Sequence, residues 1–198
     1  MIKKFIKVPL LVALLLLAPG VSLATKIDDI LKSNLTTYDN FPREGVQFID
    51  ISPALKNPVA FRAIIDQFAK HYAHKKIDAI LGLEARGFVL GAALAYKLQV
   101  PFIMARKPGK LPGEVISATF TKEYGIDILG IQKDAIKPGD NILIVDDLIA
   151  TGGTAMAAQE LITKAGGKVI ELAVVIDLSK LLAASKEFNI PVYALQKH

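Results

Sequence analysis

The run NILIVDDLIATGGTAMAAQEL at residues 141–161 decides the fold. Asn141 to Val145 is short, apolar after its first residue and rich in β-branched residues, which suits a strand covered on both faces. Asp146 and Asp147 stand where that strand emerges, followed by Ala150-Thr151-Gly152-Gly153-Thr154 and a helical stretch that runs through Lys164 and stops at Gly166-Gly167. A loop of glycines and threonines that opens a helix is an anion site. Backbone N–H groups converge there, the helix dipole is positive, and the glycines let the backbone approach a phosphate closely. Two carboxylates directly ahead of the loop would repel a phosphate and so need another partner. Vicinal hydroxyls, as on a ribose, with a divalent metal nearby, meet that need. The segment therefore describes a ribose that carries a terminal phosphate. No Lys follows the glycines as in GxxxxGK[ST], and GxGxxG is absent, so neither a P-loop nor a dinucleotide fingerprint is present. A plain βα turn would account for the glycines but not for two adjacent acids together with Thr151 and Thr154.

At 198 residues the chain can build one α/β domain with a substantial core. It has no cysteine, which excludes disulfides, Cys-based zinc sites and thiol catalysis. Lys3, Lys4 and Lys7 account for three of the formal charges of +5, leaving an ordinary +2 elsewhere that does not call for nucleic acid. Residues 1–24 read as a signal-peptide-like leader, and residues 25–198 as a single domain. The leader has a basic start, an apolar stretch from Val8 to Ala18, the breaker Pro19-Gly20, and small residues at Ser22-Leu23-Ala24. Its apolar part is shorter than the roughly 20 residues of a transmembrane span, so no stable membrane span is expected beyond it. The leader argues for export to the periplasm or for membrane tethering.

Outward from the opening segment, strands alternate with helices. Helices are expected at 26–34, 58–74, 86–98, 153–165 and 179–187. Strands are expected at 46–51, 78–83, 101–105, 141–145, 168–176 and 191–195. Asn57-Pro58 supplies a cap and a first-turn proline. Residues 106–125 hold Arg106, Lys107 and Lys110 with three glycines and two prolines and read as a mobile loop, with an extended arm at 126–133 after it. This alternation implies a mainly parallel sheet covered by helices on both faces, with ligands at the C-terminal strand ends. The loop Glu84-Ala85-Arg86-Gly87, the basic cluster after 101–105 and the Glu123-Tyr124 pair collect at that end. Arg86 and Lys107 beside a ribose-phosphate site suggest a second anion such as pyrophosphate. His71, His74 and His198 read as solvated.

VDDLIATGGT (145–154) resembles the phosphoribosyl-pyrophosphate signature of type I phosphoribosyltransferases. FPREGVQFIDISPAL (41–55), GLEARGFVLG (82–91), RKPGKLPGE (106–114), and KEYG (122–125) leading into IQKDAIKPGD (131–140) are similar to the adenine phosphoribosyltransferase family. The likeness runs in order from about residue 26 to the end and leaves out the leader. It implies the type I phosphoribosyltransferase fold, with a small N-terminal hood and a mobile loop. It also implies a cytoplasmic purine-salvage enzyme that makes AMP and pyrophosphate from adenine and phosphoribosyl pyrophosphate with Mg²⁺, as a homodimer.

By that resemblance, Asp146 and Asp147 hold the ribose hydroxyls directly or through the metal. Ala150, Thr151, Gly152, Gly153 and Thr154 cradle the 5-phosphate, while Arg86 and Lys107 hold pyrophosphate. Glu123 and Tyr124 belong to the closing loop, with Glu123 the candidate to take the base's proton. Phe48 and Leu148 sandwich adenine, whose edge is read by backbone near Gln47. Many family members carry a basic residue where this chain has Ile49, and Thr119-Phe120-Thr121-Lys122 is looser than the usual loop. Two alternatives follow: a related transferase for another purine such as xanthine or hypoxanthine, and a non-catalytic protein that binds phosphoribosyl pyrophosphate.

Overall fold

The computed structural model describes residues 27–122, 125–179 and 189–197. The leader, Glu123, Tyr124, His198 and all but the first residue of the helix expected at 179–187 lie outside them. In chain order the elements are α1 (Ile27–Asn34), β1 (Thr36–Asp39), β2 (Gln47–Asp50), α2 (Ser52–Lys56), α3 (Pro58–Tyr72), β3 (Ala79–Leu83) and α4 (Arg86–Leu98). There follow β4 (Phe102–Ala105), β5 (Val115–Lys122), β6 (Gly125–Gln132), β7 (Asn141–Ile149), α5 (Gly153–Lys164), β8 (Lys168–Asp177) and β9 (Val192–Lys197).

Five strands form one sheet in the order β4-β3-β7-β8-β9, and every neighbouring pair is parallel. Parallel strands need crossovers, and the helices that supply them cover both faces. Successive residues of β7 alternate between two cores. Ile142 and Ile144 pack with Leu161 and Ile162 of α5, while Leu143 and Val145 pack with Ile64 and Phe68 of α3 and Leu90 of α4. Each such side chain, fully removed from water, contributes about 1.5–3 kcal/mol, so β7 is anchored from both sides before it reaches its acids. Asn57 Oδ1 caps α3 by accepting the N–H groups of Val59 and Ala60, as its sequence position predicts. At the sheet edge, the Phe102 ring lies where Cβ atoms on Gly82 and Gly91 would intrude to 2.7 Å, so β4 and α4 can both approach β3.

Four expectations change. Residues 115–122, read as part of a mobile loop, form β5, which pairs with β6 as an antiparallel hairpin. Ala118 and Phe120 on β5 and Leu129 and Ile131 on β6 are buried against the α5 side of the sheet; this period-two burial had been obscured by the flanking glycines and prolines. Arg106 and Gly130 exchange backbone hydrogen bonds of 2.8 Å, and Lys164 Nζ donates to the Ser117 carbonyl, tying the hairpin to β4 and α5. Second, β1 was not foreseen; it pairs antiparallel with β2 as a two-stranded hood at the N-terminal side. Third, β7 continues four residues beyond Val145, so both acids lie within the strand. Fourth, His71 is half-buried rather than solvated. Its ring stacks on Tyr193 at 3.5 Å and contacts the Glu171 carboxylate, which Lys75 also holds. Among the described residues, no helix is long and apolar enough to cross a membrane.

Candidate active site

A cleft of about 450 Å³ opens at the C-terminal ends of β3 and β7, lined by residues 83–86 and 146–155 together with Leu172. Its floor is the turn from β7 into α5. Gly152 is the residue before the helix and has φ +81°, a left-handed conformation that an L side chain adopts only with strain. No side chain caps this helix start. The first-turn N–H groups, which no helical carbonyl can reach, are left for a ligand, and an anion is what they and the dipole favour.

One wall is acidic. Asp146 and Asp147 are neighbours on a strand, so their side chains diverge. Asp146 Oδ1 accepts the backbone N–H of Asp147 at 2.9 Å. Burial pushes the Asp146 carboxyl well above the ordinary 3.8, and the charge of Asp147 adds to the rise. Asp147, only 4 % exposed, is also raised by burial, with the Arg86 guanidinium opposing. Arg86 Nε lies 2.6 Å from Asp147 Oδ2, although that oxygen receives no well-directed hydrogen bond. A buried carboxylate with spare acceptor capacity is suited to hydroxyl donors or a cation.

Arg86 opens α4, and Gly87 is what brings it to the acids. A Cβ at Gly87 would stand 2.5 Å from the Val145 carbonyl oxygen and 3.1 Å from Asp146 Oδ1. The Arg86 guanidinium also lies 5.5 Å from the centre of the Phe48 ring, linking the hood to the cleft. Asp50, on the same strand as Phe48, is held below the usual carboxylate range by hydrogen bonds from Ser52, with the Arg86 charge adding.

Of the residues singled out from sequence, Arg86, Asp146, Asp147, Leu148 and Ala150 to Thr154 share this one cleft. Phe48 joins through Arg86. The Gln47 side chain donates to Asp39 on the neighbouring hood strand, leaving its backbone for any other role. Ile49 is buried among Leu31, Ile51 and other residues of the helical core, so its side chain points away from the ligand face. Lys107 stands apart. Its backbone N–H donates to Glu84 Oε2 at 2.7 Å, its ammonium lies 3.9 Å from Asp127, and it lines a second, smaller cavity with Arg106 and Gly109. Glu84 was noted only as one of several polar residues of its loop. It is a junction, because its carboxylate also faces Arg106 at 3.5 Å and so joins the Arg86 loop to the start of the hairpin arm. Its pKa is lowered, first by the Lys107 N–H and then, against the cost of burial, by Arg106. No spacing rule in the sequence would have paired residues 84 and 107. Among the described residues, no group of three or more His, Cys, Asp or Glu is placed to hold a metal ion. A metal here would need ligand oxygens in addition to the two aspartates, which is how Mg²⁺ usually binds beside phosphates.

The family model for the phosphoribosyl transferase domain matches residues 53–189. The adenine phosphoribosyltransferase of Chromohalobacter salexigens is 48% identical over 158 residues, covering 80% of this chain and 87% of its own. That of Clostridium beijerinckii is 47% identical over 168 residues, with coverages of 85% and 98%. Among solved structures, adenine phosphoribosyltransferase from Saccharomyces cerevisiae, complexed with an imino-altritol bisphosphate and adenine, superposes with a TM-score of 0.81 at 45% identity, covering 87% of this chain and 99% of that one. The Trypanosoma brucei enzyme, in complex with AMP, pyrophosphate and ribose-5-phosphate, gives 0.78 at 28% identity, with coverages of 89% and 81%.

Proposed function

The chain belongs to the adenine phosphoribosyltransferases of the phosphoribosyl transferase domain family, and on that premise we propose how its cleft makes AMP and pyrophosphate from adenine and phosphoribosyl pyrophosphate. The observation that carries the assignment of parts is the uncapped start of α5 directly beside two acids, Asp147 buried and Asp146 half-buried, whose pKa values are raised. A phosphate fits the first feature and ribose hydroxyls fit the second, and a ribose 5-phosphate presents both groups to one cleft.

In this reading the N–H groups from Ala150 to Thr154 hold the 5-phosphate, and Asp146 and Asp147 accept the ribose hydroxyls. Arg86 turns from Asp147 to the pyrophosphate, with Lys107 approaching the same group from the arm. Phe48 and Leu148 stack on adenine, and backbone near Gln47 meets its edge. Adenine N9 attacks C1′ while the bond from C1′ to the pyrophosphate oxygen breaks, and the N9 proton passes to Glu123 or to water. Tyr124 would work beside Glu123 to exclude water, as the family resemblance implies. Such a transition state has oxocarbenium character and asks for alignment, neutralisation of the leaving group and exclusion of water rather than a nucleophilic side chain. Asp146 and Asp147 would hold Mg²⁺ together with ligand oxygens, and when bound it supplies further positive charge against the pyrophosphate.

Two wider features belong to the same proposal. A homodimer is supported by α4, which exposes Val89, Ala92 and Tyr96 along one stripe, with Tyr96 88% exposed, beside Met104 on the edge strand β4. We place the reaction in the cytoplasm, where phosphoribosyl pyrophosphate is made. The enzyme is tested by offering adenine, hypoxanthine, guanine and xanthine separately with phosphoribosyl pyrophosphate and Mg²⁺. AMP from adenine, at a kcat/KM at least about a hundredfold above the other bases, is expected. Turnover of another purine in preference to adenine would overturn the base assignment, and no turnover of any base would favour a binding protein.

A further inference from the structure

The hood carries more aromatic surface than its fold requires. Tyr38 and Phe41 are 51% and 52% exposed, and neither belongs to a core cluster. Tyr38 is the direct cross-strand partner of Phe48, so both side chains lie on one face of the β1–β2 pair. Phe41 sits in the connection between those strands. Its ring meets Phe48 edge-on, with centroids 5.1 Å apart and planes at 69°. The connection is held in shape: the Phe41 N–H donates to the Val46 carbonyl at 3.1 Å, and the Gly45 N–H donates to Asn40 Oδ1 at 2.8 Å. A half-exposed aromatic outside the core contributes little to folding. What this one does touch is the ring assigned to the base.

We propose that Phe41 is a positioning residue for base binding, fixing the plane of the Phe48 ring before adenine arrives. The inference rests on the reading of the cleft as an adenine site. The Phe48 side chain belongs to neither core cluster, so core packing does not hold its rotamer, and an aromatic that must be ordered on binding weakens the complex. An edge-to-face neighbour supplies that order in advance. Arg86 contacts the same ring, but it is also the group assigned to pyrophosphate and is not free to hold Phe48 through the reaction. Phe41 has no competing assignment.

The test compares wild type with Phe41→Ala and Phe41→Tyr. Steady-state kinetics are run with each substrate varied in turn. Adenine affinity is read by equilibrium dialysis with pyrophosphate present, which needs no turnover, and thermal midpoints are recorded. Phe41→Ala should raise KM and Kd for adenine by roughly three- to tenfold. It should leave kcat, KM for phosphoribosyl pyrophosphate and the thermal midpoint within error, and Phe41→Tyr should restore adenine binding. An unchanged adenine Kd in Phe41→Ala would overturn the inference, as would a loss spread equally over both substrates with a lowered thermal midpoint. A wild-type enzyme that makes no AMP would instead refute the functional reading, whatever the variants do.

Discussion

At the scale of single residues, the site stores an unfavourable charge that a proton or a ligand relieves. Asp146 is the clearest case, because burial and the adjacent Asp147 both raise its pKa. A carboxyl whose folded pKa is raised binds its proton more tightly in the native state. Its ionisation therefore costs stability as pH rises past the ordinary 3.8 toward the folded value. Asp146→Asn should consequently raise the thermal midpoint at pH 7 by a few degrees, corresponding to about 1–2 kcal/mol, while kcat/KM falls by about a hundredfold or more. The gain in midpoint should shrink as the pH is lowered toward 4. A destabilised variant at pH 7, measured by calorimetry, would show that the acid stabilises the fold instead. Gly87 makes the opposite case. A methyl group there meets the Val145 carbonyl at 2.5 Å, so Gly87→Ala should cost about 1–3 kcal/mol and displace Arg86 from Asp147. A variant with wild-type melting and wild-type kcat/KM would contradict that geometry.

At the scale of elements, α4 couples the hood to the phosphate loop through its first residue. Arg86 contacts Phe48 of β2 and Asp147 of β7 at once, so an anion that draws it away changes both the base platform and the ribose acids. Pyrophosphate should then tighten adenine binding by about fivefold or more in calorimetric titration, and Arg86→Ala should abolish the coupling. Equal adenine affinity with and without pyrophosphate would refute it. This coupling could not be read from sequence, although its parts could. The strand β7, the turn at Gly152 and the start of α4 at Arg86 were all legible, because apolar runs, glycine pairs and a strand-loop-helix order have local causes. The hairpin was hidden because prolines and glycines at 108–113 signal a loop louder than the alternation of Ala118 and Phe120 signals a strand. Within the expected hood, β1 was hidden because Thr36–Asp39 has no buried face of its own and exists as a strand only by pairing with β2. Glu84 with Lys107, and Phe41 with Phe48, are tertiary contacts that carry no periodic trace. The importance attached to Ile49 also had a tertiary answer: the side chain turns into the core.

For the whole molecule, the parallel sheet brings its functional loops to one end while the apolar stripe of α4 runs along a side. If that stripe is the subunit contact, Tyr96→Glu should shift the protein from dimer to monomer in sedimentation velocity without unfolding it. Wild type sedimenting as a monomer at tens of micromolar would remove the stripe from that role. The arrangement of parts in the cleft is tested most directly by a crystal structure with AMP and pyrophosphate bound. The 5′-phosphate should lie on the N–H groups of Ala150 to Thr154, the ribose hydroxyls on Asp146 and Asp147, the adenine against Phe48, and pyrophosphate on Arg86. AMP bound with its phosphate away from the start of α5, or with Arg86 still paired to Asp147, would contradict the account.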